Sequence, residues 1–273
     1  MAQGFSWQKA GALVYLTADL LSATGRVRHG FSTRHGGVSR GEVTGLNLGF
    51  KNGRVGEVLE NRYLFLTALG LNPRALVAGQ QVHGTHVAAV TPAEAGRGAR
   101  AWEEGLPATD ALVTSVPGLP LSVYTADCVP LLFLDPVRPA VGAVHAGWRG
   151  SVDGVALATL AKMSAVYGTR PGDMLVAMGP SIGPCCYEVD ERVLAPLKAH
   201  FPFWREVVAA HGSGHWLLDL WELNRRQLVA AGVRPENIAV AGLCTACRVA
   251  DFYSYRVEKG RTGSLAAVIA LQP

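Results

Sequence analysis

Three short segments of this 273-residue chain each set a good metal ligand between an apolar run and a turn: Gly79-Gln80-Gln81-Val82-His83-Gly84, Tyr124-Thr125-Ala126-Asp127-Cys128-Val129-Pro130 and Val144-His145-Ala146-Gly147-Trp148-Arg149-Gly150. Two imidazoles and one thiolate suit a borderline-soft ion. Three protein ligands leave a fourth tetrahedral position for water, as catalytic zinc requires, and such an ion brings the pKa of that water down to about 7. The spacing itself matches no local finger or His-x-x-x-His pattern. Because buried cysteines and hydrogen-bonded histidines are common in cores, spacing alone leaves packing open as the alternative.

The neighbours of these residues extend the chemistry. Asp127, beside Cys128 and ahead of an X-Pro turn, reads either as a proton acceptor or orienting carboxylate or as a turn cap. Gln81 shares a face of an extended segment with His83 and would orient water or substrate, or complete a turn. The run from His145 to Gly150 precedes a strong helical pattern, so its backbone N–H groups and the Arg149 guanidinium could hold an anion; equally, its glycines permit a tight turn. It is neither a Walker nor a dinucleotide loop. Asp251-Phe252-Tyr253-Ser254-Tyr255-Arg256 reads as a strand, with Phe252, Ser254 and Arg256 alternating against Tyr253 and Tyr255; one face could stack a heterocycle, or the strand is simply part of the core. Cys185-Cys186 with the Cys-x-x-Cys of Cys244 and Cys247 could suggest a second, structural metal site, but a lone Cys-x-x-Cys without a matching pair and adjacent cysteines awkward as joint chelators favour ordinary thiols.

The elements that must hold these residues are mixed. Strand patterns cover Ala12–Leu16, Val27–Ser32, Val87–Val90, Ala111–Thr114, Leu121–Thr125, Leu131–Leu134, Val141–Val144, Leu175–Met178, Ile238–Ala241, Phe252–Tyr255 and Leu265–Leu271. Helical spacing covers Arg54–Leu69, Val152–Tyr167, Asp190–His200 and Asp219–Ala231, with Gly168 as a stop. Strands separated only by turns break strict βαβ alternation, which points to an α+β fold with much antiparallel pairing. Thr91–Pro107 has no period and reads as a mobile surface loop.

The chain is 49% hydrophobic and 17% charged, enough apolar material for a core in one large domain or two packed halves. A net charge of +4 without a long Lys/Arg block falls short of a nucleic-acid footprint and fits small anions. No run spans a bilayer and Met1–Leu20 lacks a leader pattern, so no membrane is expected and cytoplasmic residence follows. Five cysteines in a chain this long read as reduced.

Taken in order, Leu46-Asn47-Leu48-Gly49, Asn61-Arg62, Gln81 to Gly84, Thr125 to Pro130, His145 to Gly150, Gly179-Pro180-Ser181-Ile182-Gly183-Pro184, Cys244-Thr245 and Phe252 to Arg256 resemble the YfiH/laccase-domain family. Its members were once described as multicopper polyphenol oxidases and are now associated with purine nucleoside chemistry. The resemblance runs from about Gly30 to the C-terminus. Cys247 lies outside the family pattern, and Gly79-Gln80 stands where an acidic residue is expected. The resemblance implies His83, Cys128 and His145 as Zn2+ ligands in a four-layer α/β/β/α arrangement with mixed sheets, formed by one domain over residues 1–273 of a cytosolic protein that could dimerise. It also implies phosphorolysis of adenosine, inosine, guanosine and methylthioadenosine by phosphate, and adenosine deamination at the same centre. Asp127, Cys128 and Arg149 would be the catalytic residues, with Gln81, Arg149 and Arg256 contacting substrate.

Three other readings use the same residues. A Cys-His hydrolase would take Cys128 as nucleophile with His145 or His83 as base. A copper-dependent polyphenol oxidase would need His-x-His pairs and a Cys-centred run with a nearby His and axial Met, and the sequence shows neither pattern. A nonenzymatic module would bind zinc structurally through a closed site.

Overall fold

The computed structural model describes residues 4–273, so Met1–Gln3, the start of the segment read for a leader, lie outside the described residues. The fold is α+β, built on two six-stranded mixed sheets and a three-stranded one. In the first large sheet the strands run in the order Phe5–Ala10, Leu13–Ala18, Val27–Ser32, Leu265–Leu271, Leu121–Thr125, Val77–Ala78; every neighbouring pair is antiparallel except the last. In the second the order is Ile238–Val240, Leu175–Met178, Val129–Asp135, Ala140–Ala146, Ala111–Thr114, Val87–Ala89, antiparallel in the middle and parallel at both edges.

The side-chain period of two explains how the sheets pack. Along Leu265–Leu271, Leu265, Ala267, Ile269 and Leu271 face one apolar cluster, whereas Ala266, Val268 and Ala270 face another containing Phe65 and Leu66 of the Val55–Ala68 helix. Along Val129–Asp135, Leu132 and Leu134 join the first cluster, and Val129, Leu131 and Phe133 join a third with Leu160 and Met163 of the Val155–Tyr167 helix. The first cluster therefore lies between the two large sheets and the other two lie under helices. A strand buried on both faces reads as a continuous apolar run, and Val129–Asp135 and Ala140–Ala146 are buried at every residue.

Three expectations need correction. The helix expected over Val152–Tyr167 is two: Trp148–Val152 and Val155–Tyr167, separated at Gly154, whose φ of 83° lies in the left-handed region that favours glycine. The strand expected over Phe252–Tyr255 is a run of turns, because Phe252 N–H bonds back to Arg248 O and Glu258 N–H to Ser254 O. Thr91–Pro107 is pinned, not loose: Ala78 N–H donates to Arg97 O, Leu106 N–H to Ala78 O, and the Arg62 guanidinium to the carbonyls of Gly98 and Ala99. Among the described residues no helix is long and apolar enough to cross a membrane.

Candidate metal centre and active site

Antiparallel pairing of Val129–Asp135 with Ala140–Ala146 places Pro130 opposite His145 and Val129 opposite Ala146, so Cys128 and His145 meet at one end of the second sheet. His83 arrives from the connection between Val77–Ala78 and Val87–Ala89. The ligand atoms of His83, Cys128 and His145 lie within 4.8 Å of one another, and the two imidazole rings sit 4.8 Å apart at 77°. Gly147 makes the approach possible: a Cβ there would lie 2.7 Å from His83 Cδ2 and 3.2 Å from Cys128 Sγ. These three donors could hold a metal ion, and the donor set suits one of the zinc or copper type.

One residue that sequence reasoning passed over orders this centre. Asp110 is fully buried and accepts hydrogen bonds from the N–H groups of Val82 (3.0 Å), His83 (2.9 Å) and Gly84 (2.9 Å), while its Oδ1 lies 2.7 Å from His145 Nδ1. The carboxylate thus fixes the His83 loop and selects the His145 tautomer that leaves Nε2 for a metal, the carboxylate–histidine arrangement common at metal sites. Its only sequence signal is an acid just before the apolar run Ala111–Thr114, which a turn cap would also give.

Burial would raise the Cys128 thiol, yet the adjoining His145 charge and hydrogen bonds from His145 and His83 pull it down to about 6. Burial would lower His145, yet Cys128 and Asp110 raise it to about 9. Burial likewise opposes ionisation of Asp110, but His145 and the backbone N–H donors hold it below the usual carboxylate range. These shifts favour a thiolate beside an imidazolium, backed by a carboxylate.

The centre opens on a cavity of about 600 Å³ whose wall also carries Gln81, Asp127, Arg149 and Arg256, so all seven site residues singled out in the sequence converge. Their polar atoms are not equally free. Gln81 is tied at both ends to the Tyr124 backbone: Nε2 donates to Tyr124 O and Oε1 accepts from Tyr124 N–H, each at 2.7 Å. Asp127, held at a φ of 90°, accepts from Thr245 Oγ1 (2.6 Å), Ser254 Oγ (3.1 Å) and Arg256 N (2.7 Å). Arg256 donates from its guanidinium to Glu188 O and stacks on Tyr187. Arg149 lies exposed over the Trp148 ring, with no carboxylate partner among the described residues.

Sequence reasoning also gave no role to Arg62, Tyr124 and Tyr187, which line the same cavity. Arg62 is buried between the rings of Phe50 and Tyr124 with only carbonyls as acceptors, and desolvation pushes its pKa down. Burial, reinforced by the Cys128 charge, pushes Tyr187 up, so it stays a hydroxyl at neutral pH. Aromatic walls with a few convergent polar groups are typical of small-molecule sites.

Comparison with known proteins places this geometry. The chain is 40% identical over 251 residues to the purine nucleoside phosphorylase YlmD of Geobacillus stearothermophilus, covering 88% of each chain. It is 37% identical over 238 residues to the adenosine deaminase RL5 of an unknown prokaryotic organism, covering 85% of this chain and 90% of that one. Among solved structures, the hypothetical protein YfiH of Bacillus licheniformis superposes with a TM-score of 0.92 at 32% identity, over 97% of this chain and 99% of that one. A family model described as multi-copper polyphenol oxidoreductase laccase matches residues 28–272, and the chain belongs to that family, the YfiH/laccase-domain proteins.

Proposed function

We propose that this protein is a zinc-dependent purine nucleoside phosphorylase that also deaminates adenosine at the same centre, acting in the cytoplasm as one domain over residues 1–273, with a homodimer as its assembly. The reading takes adenosine, inosine, guanosine and methylthioadenosine as nucleosides and phosphate as co-substrate, and takes the three apolar clusters as the interfaces of an α/β/β/α layering. The observation that carries it is the convergence of His83, Cys128 and His145 on the wall of a large cavity that also presents cations and aromatic rings. The names of the two relatives, one a phosphorylase and one a deaminase, support the pairing of activities.

His83, Cys128 and His145 would hold the zinc ion, which when bound supplies a Lewis acid and lowers the pKa of water to about 7. The chain does the rest. In phosphorolysis a phosphate oxygen bonds to the anomeric carbon as the bond from that carbon to purine N9 breaks; the products are a sugar 1-phosphate and the free base. Arg149, with no carboxylate partner among the described residues, and the Arg256 guanidinium are the cations that would hold the phosphate, contributing position and charge. Tyr124, Trp148, Tyr187 and Tyr255 would cover the purine and exclude water. In deamination, water adds at purine C6 and ammonia leaves. Asp127 uses three of a carboxylate's roughly four acceptor positions, so one position remains for a proton or a substrate N–H while the other three hold the loop. Gln81 acts by holding Tyr124, because both ends of its amide are engaged there.

The ion pair of Cys128 and His145 also fits the hydrolase reading, in which the thiolate attacks substrate directly. Zinc ligation and nucleophilic attack compete for the same sulfur, so the two readings are exclusive. The copper oxidase reading gains nothing: among the described residues no Met lines the cavity to serve as an axial ligand. Product analysis of metal-defined protein with adenosine separates the readings. The proposal expects inosine without phosphate and, with phosphate, adenine and ribose 1-phosphate as well. Full activity in chelator-stripped protein would replace zinc catalysis with the hydrolase.

A further inference from the structure

Four cysteines from two distant segments meet away from the His83 centre. Cys185 and Cys186 lie in the turn after Leu175–Met178; Cys244 and Cys247 lie in the turn after Ile238–Val240. Their parent strands pair in parallel, so both segments leave the sheet at the same end. Beyond the strands the segments stay together: Ser181 N–H donates to Leu243 O and Thr245 N–H to Ser181 O. Gly183 brings the segments within reach, since a Cβ there would lie 2.7 Å from the Trp221 ring and 3.2 Å from Cys244 Cβ.

The sulfur atoms of Cys185, Cys186, Cys244 and Cys247 all lie within 4.8 Å of one another. Cys247 Sγ is 3.4 Å from Cys185 Sγ and 3.3 Å from Cys186 Sγ. A tetrahedral zinc tetrathiolate with bonds of about 2.3 Å has sulfurs about 3.8 Å apart, which falls inside the observed range. The objection that adjacent cysteines diverge applies to an extended chain; here a turn, closed by Cys186 N–H on Gly183 O, brings them round together. Cys244 Sγ accepts a hydrogen bond from the backbone N–H of Gly183 (3.2 Å). Amides aimed at sulfur stabilise the thiolate that metal binding needs.

We propose that Cys185, Cys186, Cys244 and Cys247 form a second, closed site for one zinc ion, with a structural role. Four protein thiolates leave no open position for substrate. What the ion would clamp is functional: the two turns carry Ile182 and Tyr187 in the cavity wall, and Thr245, next to Cys244, holds Asp127 at 2.6 Å. The second ion fixes the wall of the pocket whose chemistry the first one serves. Sequence spacing alone favours ordinary thiols, because joint ligation depends on contacts between segments about 60 residues apart.

The test is zinc counting on protein purified reduced and without chelator. Wild type should carry two equivalents, Cys247→Ser one, Cys128→Ala one, and the double variant none. Cobalt loaded into Cys128→Ala should give an intense tetrahedral thiolate spectrum that disappears in the double variant. Cys185→Ser, at an exposed position, serves as a second probe should Cys247→Ser misfold, and should also lose one equivalent. Cys247→Ser and Cys185→Ser both keeping the wild-type zinc content, or mass spectrometry finding Cys247 in a disulfide with Cys185 or Cys186 in the protein as isolated, would overturn the proposal. Neither result would touch the His83 centre, which is read out by Cys128→Ala.

Discussion

Replacing Asp110 with Asn should disable the metal centre without touching a metal ligand. The carboxylate accepts four hydrogen bonds in a site closed to water. An Asn side chain keeps one oxygen for the His83 N–H and His145 Nδ1. Its amide NH2 must then face the N–H groups of Val82 and Gly84, donor against donor. Two hydrogen bonds to a charged group, at about 1.5–3 kcal/mol each, are lost, so the His83 loop should be destabilised by about 4 kcal/mol. His145 also loses the anion that orients it, for which a 10–100-fold drop in metal affinity is usual. Zinc affinity measured by competition with a chromophoric chelator, alongside inosine phosphorolysis at saturating zinc, reads both effects. Zinc affinity within about threefold of wild type, with unchanged turnover, would refute the role given to Asp110.

Three further outcomes follow from the same geometry. Gly147→Ala, placing a Cβ 2.7 Å from His83 Cδ2, should weaken zinc binding at the His83 centre with little change in global stability, as measured by titration calorimetry and thermal melting. Arg149→Ala should raise the KM for phosphate at least tenfold and leave adenosine deamination near wild type, because deamination uses no phosphate; steady-state kinetics on both reactions checks the split. His29 is buried and accepts the Ala18 N–H at Nε2, and desolvation lowers its pKa to about 4. Below about pH 6.5 the unfolded chain takes up a proton that the folded one refuses, so this stability is complete above pH 6.5 and is lost as pH falls to about 4, amounting to about 3 kcal/mol. His29→Gln should flatten that acid limb in urea unfolding curves measured across the range.

Where the sequence was legible, short-range physics decided the answer. Val129–Asp135 and Ala140–Ala146 announce themselves as apolar runs because both faces are buried, and the ligands sit at their ends, where a strand gives way to a turn. Asp190 and Asp219 mark helix starts because their carboxylates cap Arg192 N–H and Glu222 N–H. Where it was not, the deciding contact came from far along the chain. Asp110 reaches His145 across 35 residues, and nothing local separates it from a surface turn acid. The alternation in Phe252–Tyr255 mimics a strand, but Tyr253 is turned inward to donate to Thr44 O and Ser254 to reach Asp127. Val152–Tyr167 kept helical spacing across its break because Gly154 turns the chain within one residue while the apolar faces of both helices still meet the same cluster.

The central claim, that one metal centre runs both reactions, is tested most directly by Cys128→Ala in protein with defined zinc content. Removing the thiolate leaves two imidazoles, which should retain zinc poorly. Release of hypoxanthine from inosine with phosphate and formation of inosine from adenosine should then fall together, each by at least about a hundredfold, while the fold survives. A folded variant that lost deamination yet released hypoxanthine at the wild-type rate would place phosphorolysis elsewhere and contradict the single-centre account.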